Sequence, residues 1–372
     1  MMTVLDRIPL IALAGATIVT FICGLVMLIS RFDTNRKDCP KRVFMIAAVM
    51  FFCASFSWFS ALMFLLHPRI FLVLDSPLYL AMLYYEVLLY YFIFGITRAK
   101  EDEHFGTVHF VIPLFIVGSI FIGGFFVPYD ARLTIIQSKG AVYGEYKLYA
   151  LLMTSKAFTF FIYNIVYSLL SLWRIRCYQK VIPHYSADEG HSPVRWLYLL
   201  FFISLGTLPL VLLGSFLGKN PLFNTIVLVF PLTMAVLQTI VICYNVVVAN
   251  FKIIEFEKAT TSSNPVERAI NEKLNKETFE RYIRQKKPYL KADLHITDMA
   301  TELLTNRAYL SAFINKEYGM NFSRYINRWR LKELTKLRAN PDYADCSGLE
   351  LVQKAGFRAI GGICVQKMKK IR

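Results

Sequence analysis

The sequence has no Cys-x-x-Cys pair and no grouping of cysteine with histidine, although it carries seven cysteines and six histidines. That spacing argues against a zinc site. Cys23, Cys53 and Cys243 fall in apolar runs, whereas Cys39, Cys177, Cys346 and Cys364 fall in stretches assigned below to the cytoplasmic side. Reduced thiols are therefore expected, not disulfides. No Ser/His/Asp set and no phosphate-binding glycine loop is present, and the histidines are scattered singly. The chain is not expected to be an enzyme or to hold a cofactor. Acidic residues are also scarce, with 26 Asp and Glu against 42 Lys and Arg, a formal net charge of +16.

Apolar residues, by contrast, are abundant. They make up 56% of the chain, and the excess lies almost wholly between Ile8 and Ala249. A helix needs ~20 mainly apolar residues to cross a hydrocarbon core ~30 Å thick. Seven runs qualify, at about 8–30, 43–66, 76–97, 107–127, 148–173, 196–218 and 222–249. The first has no charge from Ile8 to Ser30 and outruns the ~7–15 residues of a signal-peptide core, so it reads as an uncleaved span. Many of the 31 Phe and 21 Tyr flank these runs, which suits residues at a bilayer interface.

Loop charge gives an orientation. One side carries Arg31, Arg36, Lys37, Lys41, Arg42, Arg98, Lys100, Arg174, Arg176, Lys180 and Arg195, eleven in all. The other carries Arg7, Arg69, Arg132, Lys139, Lys147 and Lys219, six in all. Cytoplasmic loops are the basic ones, so the N-terminus is expected outside. Seven spans then put the C-terminus in the cytoplasm, as in a multi-pass protein of a cell inner membrane. Glu86 and Lys156 are charges inside spans three and five. They lie ten residues past Ser76 and eight past Leu148, or ~15 and ~12 Å deep. Similar depths allow an ion pair, either structural or part of a signal-sensing site whose ligand is unknown. Pro209 and Pro231 are expected to kink spans six and seven.

Beyond Ala249 the composition changes. Residues 251–372 hold 24 basic and 14 acidic side chains, a net +10 of the total +16. Phe251–Lys258 reads as an extension of span seven, residues 260–265 as a linker, and Val266–Gln285 as a charged helix started by Asn264 and Pro265. We treat 251–285 together as a helical linker. From Ile296 the pattern is two short helices joined by a turn. The first has its apolar face at Ile296, Met299, Ala300, Leu303 and Leu304. Thr305-Asn306 is the turn and cap, and Arg307–Glu317 buries Leu310, Phe313 and Ile314 before Gly319 ends it. A third, basic helix begins at Asn321-Phe322-Ser323 and reaches about Leu337. Two short helices with a tight turn match a helix-turn-helix.

Residues 285–372 resemble the DNA-binding domain of the AraC/XylS family. The resemblance lies in the Ala300–Leu303 helix, Tyr309-Leu310, Phe313, Gly319, and the run Phe322, Ser323, Tyr325, Ile326 and Arg328. A second match, Leu349–Phe357, is similar to the start of that family's second helix-turn-helix. The resemblance implies double-stranded DNA as partner and an exposed reading face at Ala308, Ser311 and Ala312, with Asn306, Arg307 and Asn315 nearby and Arg328 and Arg358 as further contacts. The second unit is expected to be degenerate: Arg358–Val365 contains Gly361-Gly362 and few hydrogen-bond donors, and the chain stops at Arg372.

The expected organisation is therefore all-α: a seven-helix transmembrane domain over 1–250, a helical linker over 251–285, and an AraC-type helix-turn-helix domain over 286–372. Expected partners are duplex DNA, the lipid bilayer and a second copy of the chain. Two other readings remain open: a membrane receptor whose basic tail binds a protein, and a transporter with a regulatory tail.

Overall fold

A computed structural model of the chain describes residues 4–32, 41–98, 103–138, 140–187, 194, 196–203, 205–206, 221–248 and 274–357. Among them the regular structure is helical, apart from one isolated antiparallel bridge between Ser186 and His295. The chain divides into two compact units: residues 1–98, 102–175 and 193–253, and residues 99–101, 176–192 and 254–372.

The first unit contains α1 (Val4–Arg31), α2 (Lys41–Leu66), α3 (Pro68–Thr97), α4 (Val108–Phe125), the short α5 (Tyr129–Gln137), most of α6 (Lys147–Tyr185), and α7 (Pro221–Val247). Six of the described helices are long and apolar enough to cross a bilayer; α5 is not. The chain thus has the make-up of a multi-pass membrane protein. The expected span at 196–218 lies mostly outside the described residues, although 196–203 are helical. Large apolar side chains such as Ile11, Val73 and Phe115 stand exposed at 71%, 73% and 75%. In water that would be a costly surface; against lipid it is not.

Small and polar residues set the packing. Gly24 on α1 meets Phe52 on α2 so closely that a Cβ there would lie 2.8 Å from the ring. The Ser55 hydroxyl donates to the Thr17 carbonyl at 2.9 Å across the same pair. Interhelical contacts of small and hydroxylated residues are what hold helices together where lipid removes the hydrophobic driving force. Tyr79 and Leu83 of α3 bury against Val117 and Ile120 of α4, with Leu152, Met153, Phe160 and Tyr163 of α6 around them.

Two boundaries differ from expectation. Helix α3 begins at Pro68, not near Ser76, so Pro77 lies inside it and Asp75 is a helical, buried residue. Helix α6 does not end with its apolar run near residue 173. It continues through Arg174, Arg176 and Lys180 to Tyr185, 39 residues, or about 58 Å.

The second unit contains the end of α6, then α8 (Lys276–Lys286), α9 (Ile296–Glu302), α10 (Arg307–Tyr318), α11 (Phe322–Ala339) and α12 (Gly348–Lys354). Each start has a chemical reason. Asn275, Asn306 and Asn321 cap α8, α10 and α11 by accepting from Thr278, Tyr309 and Arg324 backbone N–H groups. Ser347 and Glu350 form a reciprocal capping box on α12. Gly319 closes α10 at φ 65°.

Phe279 and Ile283 of α8 are fully buried, and Phe279 packs on Phe313, Tyr318 and Tyr325. Helix α8, which begins inside the stretch expected to be a helical linker, is therefore part of this unit's core. The expected helix start at Asn264-Pro265, the linker and the extension of span seven lie outside the described residues. Leu304 departs from the expected apolar face: it is 72% exposed, in the turn after α9, with φ 51°.

Candidate functional site

The expected reading residues fall on one side of α10. Positions 307, 308, 311, 312 and 315 are spaced as neighbours on a helical face. All five line one cleft of about 330 Å³. Ala308, Ala312 and Asn315 are exposed; Arg307 and Ser311 are half-buried. Asn306 precedes them and is exposed, but its Oδ1 is occupied by the Tyr309 N–H at 2.8 Å, so it acts first as a helix cap. Arg328 lies exposed on α11. Arg358 and the expected second reading helix lie outside the described residues.

The other wall of that cleft is a surprise from the sequence. Val181, His184 and Tyr185, from the last turns of α6, face the five residues of α10. The Arg307 guanidinium carbon sits 6.0 Å from the centre of the Tyr185 ring. The segment after α6 is tied down within the same unit. Ala187 N–H donates to the Leu294 carbonyl at 3.2 Å, and Tyr185 packs on His295 with ring centres 5.0 Å apart.

Arg330 holds these pieces together. Its side chain is 1% exposed. Nε donates to the Tyr289 carbonyl at 2.8 Å, Nη1 to the Ala187 carbonyl at 3.1 Å and to Asn327 at 3.2 Å, and Nη2 to the Lys291 carbonyl at 2.7 Å. A planar guanidinium, with five donors in a fixed fork, can grip the turn at 289–291 and the Ala187 carbonyl at once, whereas an ammonium has three donors and no fork. Arg330 thus joins α11, the turn at 288–292 and the segment after α6. Nearby, burial pushes the Tyr289 phenol up to about 12, and the Glu333 carboxylate beside it adds to the effect. The hydrogen bond from Lys291 to Asp298, 3.0 Å, raises the lysine above its ordinary range, so it stays charged beside α9.

Gly356 completes the scaffold. Its φ is 87°, and a Cβ there would lie 2.3 Å from the Tyr289 carbonyl oxygen. Only glycine lets the chain after α12 lie against the same turn that Arg330 grips.

In the spans, the candidate pair Glu86 and Lys156 is not a pair. Lys156 forms its ion pair with Asp75, and its ammonium also lies 5.4 Å from the Tyr79 ring centre. Glu86 accepts instead from the Asn164 amide at 2.9 Å. The extra turns of α3 explain the change, because they bring Asp75 into the helix at a level Lys156 can reach. Each charge therefore has a polar partner on a neighbouring helix, as intramembrane charges require. A second ion pair, Arg174 with Glu103, stands where α6 leaves its apolar run.

No family model, no curated protein and no solved structure matches the chain.

Proposed function

We propose that the chain is a membrane-bound transcription regulator of the AraC/XylS type, whose C-terminal unit binds duplex DNA. The observation that carries this reading is the α9–turn–α10 pair. It offers five candidate reading residues on one face, Arg307, Ala308, Ser311, Ala312 and Asn315, on a scaffold fixed by caps and by Arg330. A short helix with polar residues at its N-terminal end is what enters a major groove. The net +10 of residues 251–372 supplies the sequence-independent attraction to phosphate.

On this reading the basic unit is cytoplasmic, the membrane helices receive a signal, and two chains pair on adjacent half-sites. The fragments of DNA crosslinked to the full chain in its native cell, once sequenced, test it. Enrichment of a shared site near promoters supports the reading; a uniform genomic background rejects it.

A second reading has one observation in its favour. Ala308, Ser311 and Ala312 are short and offer little to base edges, and they line a cleft instead of a convex ridge. Such a surface suits a protein segment better than a base pair. Co-purification of one protein with the full chain, lost in Ala312→Arg, would favour it.

A further inference from the structure

We infer that the end of α6 is a built-in mask over the reading face of α10, and that DNA binds only when this mask is displaced. The inference rests on the DNA reading above and adds the regulation of that same site.

Three observations carry it. First, the five reading residues line one cleft together with Val181, His184 and Tyr185, so the chain's own helix stands beside the reading face, with Arg307 and Ser311 half-buried there. Second, the masking segment is anchored: Ala187 bonds Leu294 at 3.2 Å, Ser186 bridges His295, and Arg330 holds the Ala187 carbonyl at 3.1 Å. Third, there is no room for both partners. A helix with side chains is ~10–12 Å across, and a major groove is ~12 Å wide. A reading helix therefore fills the groove, and the last turns of α6 beside that face keep α10 from entering it.

The mask also accounts for the short side chains. Ala308 and Ala312 leave the space that the last turn of α6 faces; longer readers would fill the cleft. Short residues are thus suited to a face that must be both covered and uncovered. The covering element is the C-terminal end of α6, itself one uninterrupted helix from Lys147.

The test uses the full chain in lipid nanodiscs and labelled duplexes of about 30 base pairs, enough for two half-sites one turn apart. Duplexes are enriched from a random pool over the Tyr185→Ala chain. Two comparisons then follow. Tyr185→Ala should bind the enriched duplex at least ~10-fold more tightly than the native chain, because apparent affinity scales with the open fraction. A Val181→Cys, Ser311→Cys chain joined by a short bis-methanethiosulfonate linker should lose at least ~10-fold, and thiol should restore it.

Capping the same two thiols singly with a methylthio group sets the baseline for bulk on the reading face, and the bridged chain should bind at least ~10-fold more weakly than that baseline. Equal binding by bridged, released and native chains overturns the mask and leaves the DNA reading standing. Loss on single capping as large as on bridging overturns it too. Failure of every chain to enrich any duplex overturns the DNA reading, and the mask falls with it. Should Tyr185→Ala fail to fold, enrichment over the released double-cysteine chain takes its place, and the bridged and released comparison decides alone.

Discussion

The Nε of Arg330 donates to the carbonyl of Tyr289 at 2.8 Å, from the middle of α11 to the turn ahead of α9. Around this bond a buried cation meets the Ala187, Lys291 and Ala292 carbonyls as well. Hydrogen bonds to charged groups contribute ~1.5–3 kcal/mol each, and a buried acceptor left without a donor loses its share. Arg330→Lys keeps the charge but not the fork. It should destabilise the second unit by about 3 kcal/mol or more. Trp329 stacks on Tyr289 with ring centres 5.8 Å apart, so its fluorescence reports the same place. Urea unfolding followed at Trp329, with the other three tryptophans changed to phenylalanine, measures the loss. A midpoint equal to that of the Arg330 chain would mean the fork is dispensable.

Two turn positions should respond in opposite directions. Leu304 holds φ 51° with its side chain 72% exposed, so it bears left-handed strain and little packing. The strain of a side chain in that region is ~1–2 kcal/mol, part of which glycine returns as unfolded-chain entropy. Leu304→Gly should therefore stabilise the second unit by about 0.5–1 kcal/mol. Gly356→Ala should do the reverse, since its Cβ meets backbone 2.3 and 2.8 Å away and no side chain can move aside. A loss of ~3 kcal/mol or more is expected. Both are read from urea midpoints, and a common sign for the two would contradict the account.

Much of this architecture follows from pattern, and the exceptions have physical causes. The spans at 8–30, 43–66 and 148–173 announce themselves because lipid demands ~20 apolar residues in a row. The end of α6 does not: Arg174, Arg176 and Lys180 read as a basic loop, yet arginine, glutamine and lysine are good helix formers and let the helix run on. Asp75 lies just outside the apolar run that begins at residue 76, yet the helix takes it in, since a proline such as Pro77 in a span keeps its helix when neighbours satisfy the freed carbonyl. Arg330 is one basic residue among several on α11, and nothing local marks it as the buried one. Apart from Leu304, the faces of α9 and α10 were readable from apolar spacing; the residues of α6 that share the cleft with α10 were not, since they lie more than a hundred positions away.

The ion pair of Asp75 and Lys156 yields a third prediction. Both side chains are mostly buried, at 11% and 14% exposure, within apolar helices. Removing one partner leaves an uncompensated charge in a low-dielectric setting, at ~3–5 kcal/mol, whereas removing both leaves none. Asp75→Asn and Lys156→Met should each destabilise the first unit strongly, and the double variant less than the sum of the two. Thermal unfolding of the four chains in one detergent gives the cycle. Additive losses would show that the two charges act separately. Glu86→Gln should cost less than Asp75→Asn, because the glutamine side chain can still accept the Asn164 amide bond.

The last prediction concerns the sides of the membrane. Loop charge of eleven against six predicts that the N-terminus lies outside, and an odd number of crossings would then be needed to bring the basic C-terminal unit to the cytoplasm. Six of the described helices are able to cross. Residues 196–203 begin the run that would make the seventh. The number of crossings is therefore a functional question, because an even count would put both ends on one side. Reporter fusions at Lys37, Lys139 and Arg372 decide it. The expected pattern is an enzyme active only outside at Lys139, and a fluorophore that matures only inside at Lys37 and Arg372. Deleting residues 199–216 should move the Arg372 reporter to the outside while Lys37 and Lys139 keep their sides. If Arg372 reports outside in the intact chain, the C-terminal unit never meets chromosomal DNA, and the regulator reading fails at its first requirement.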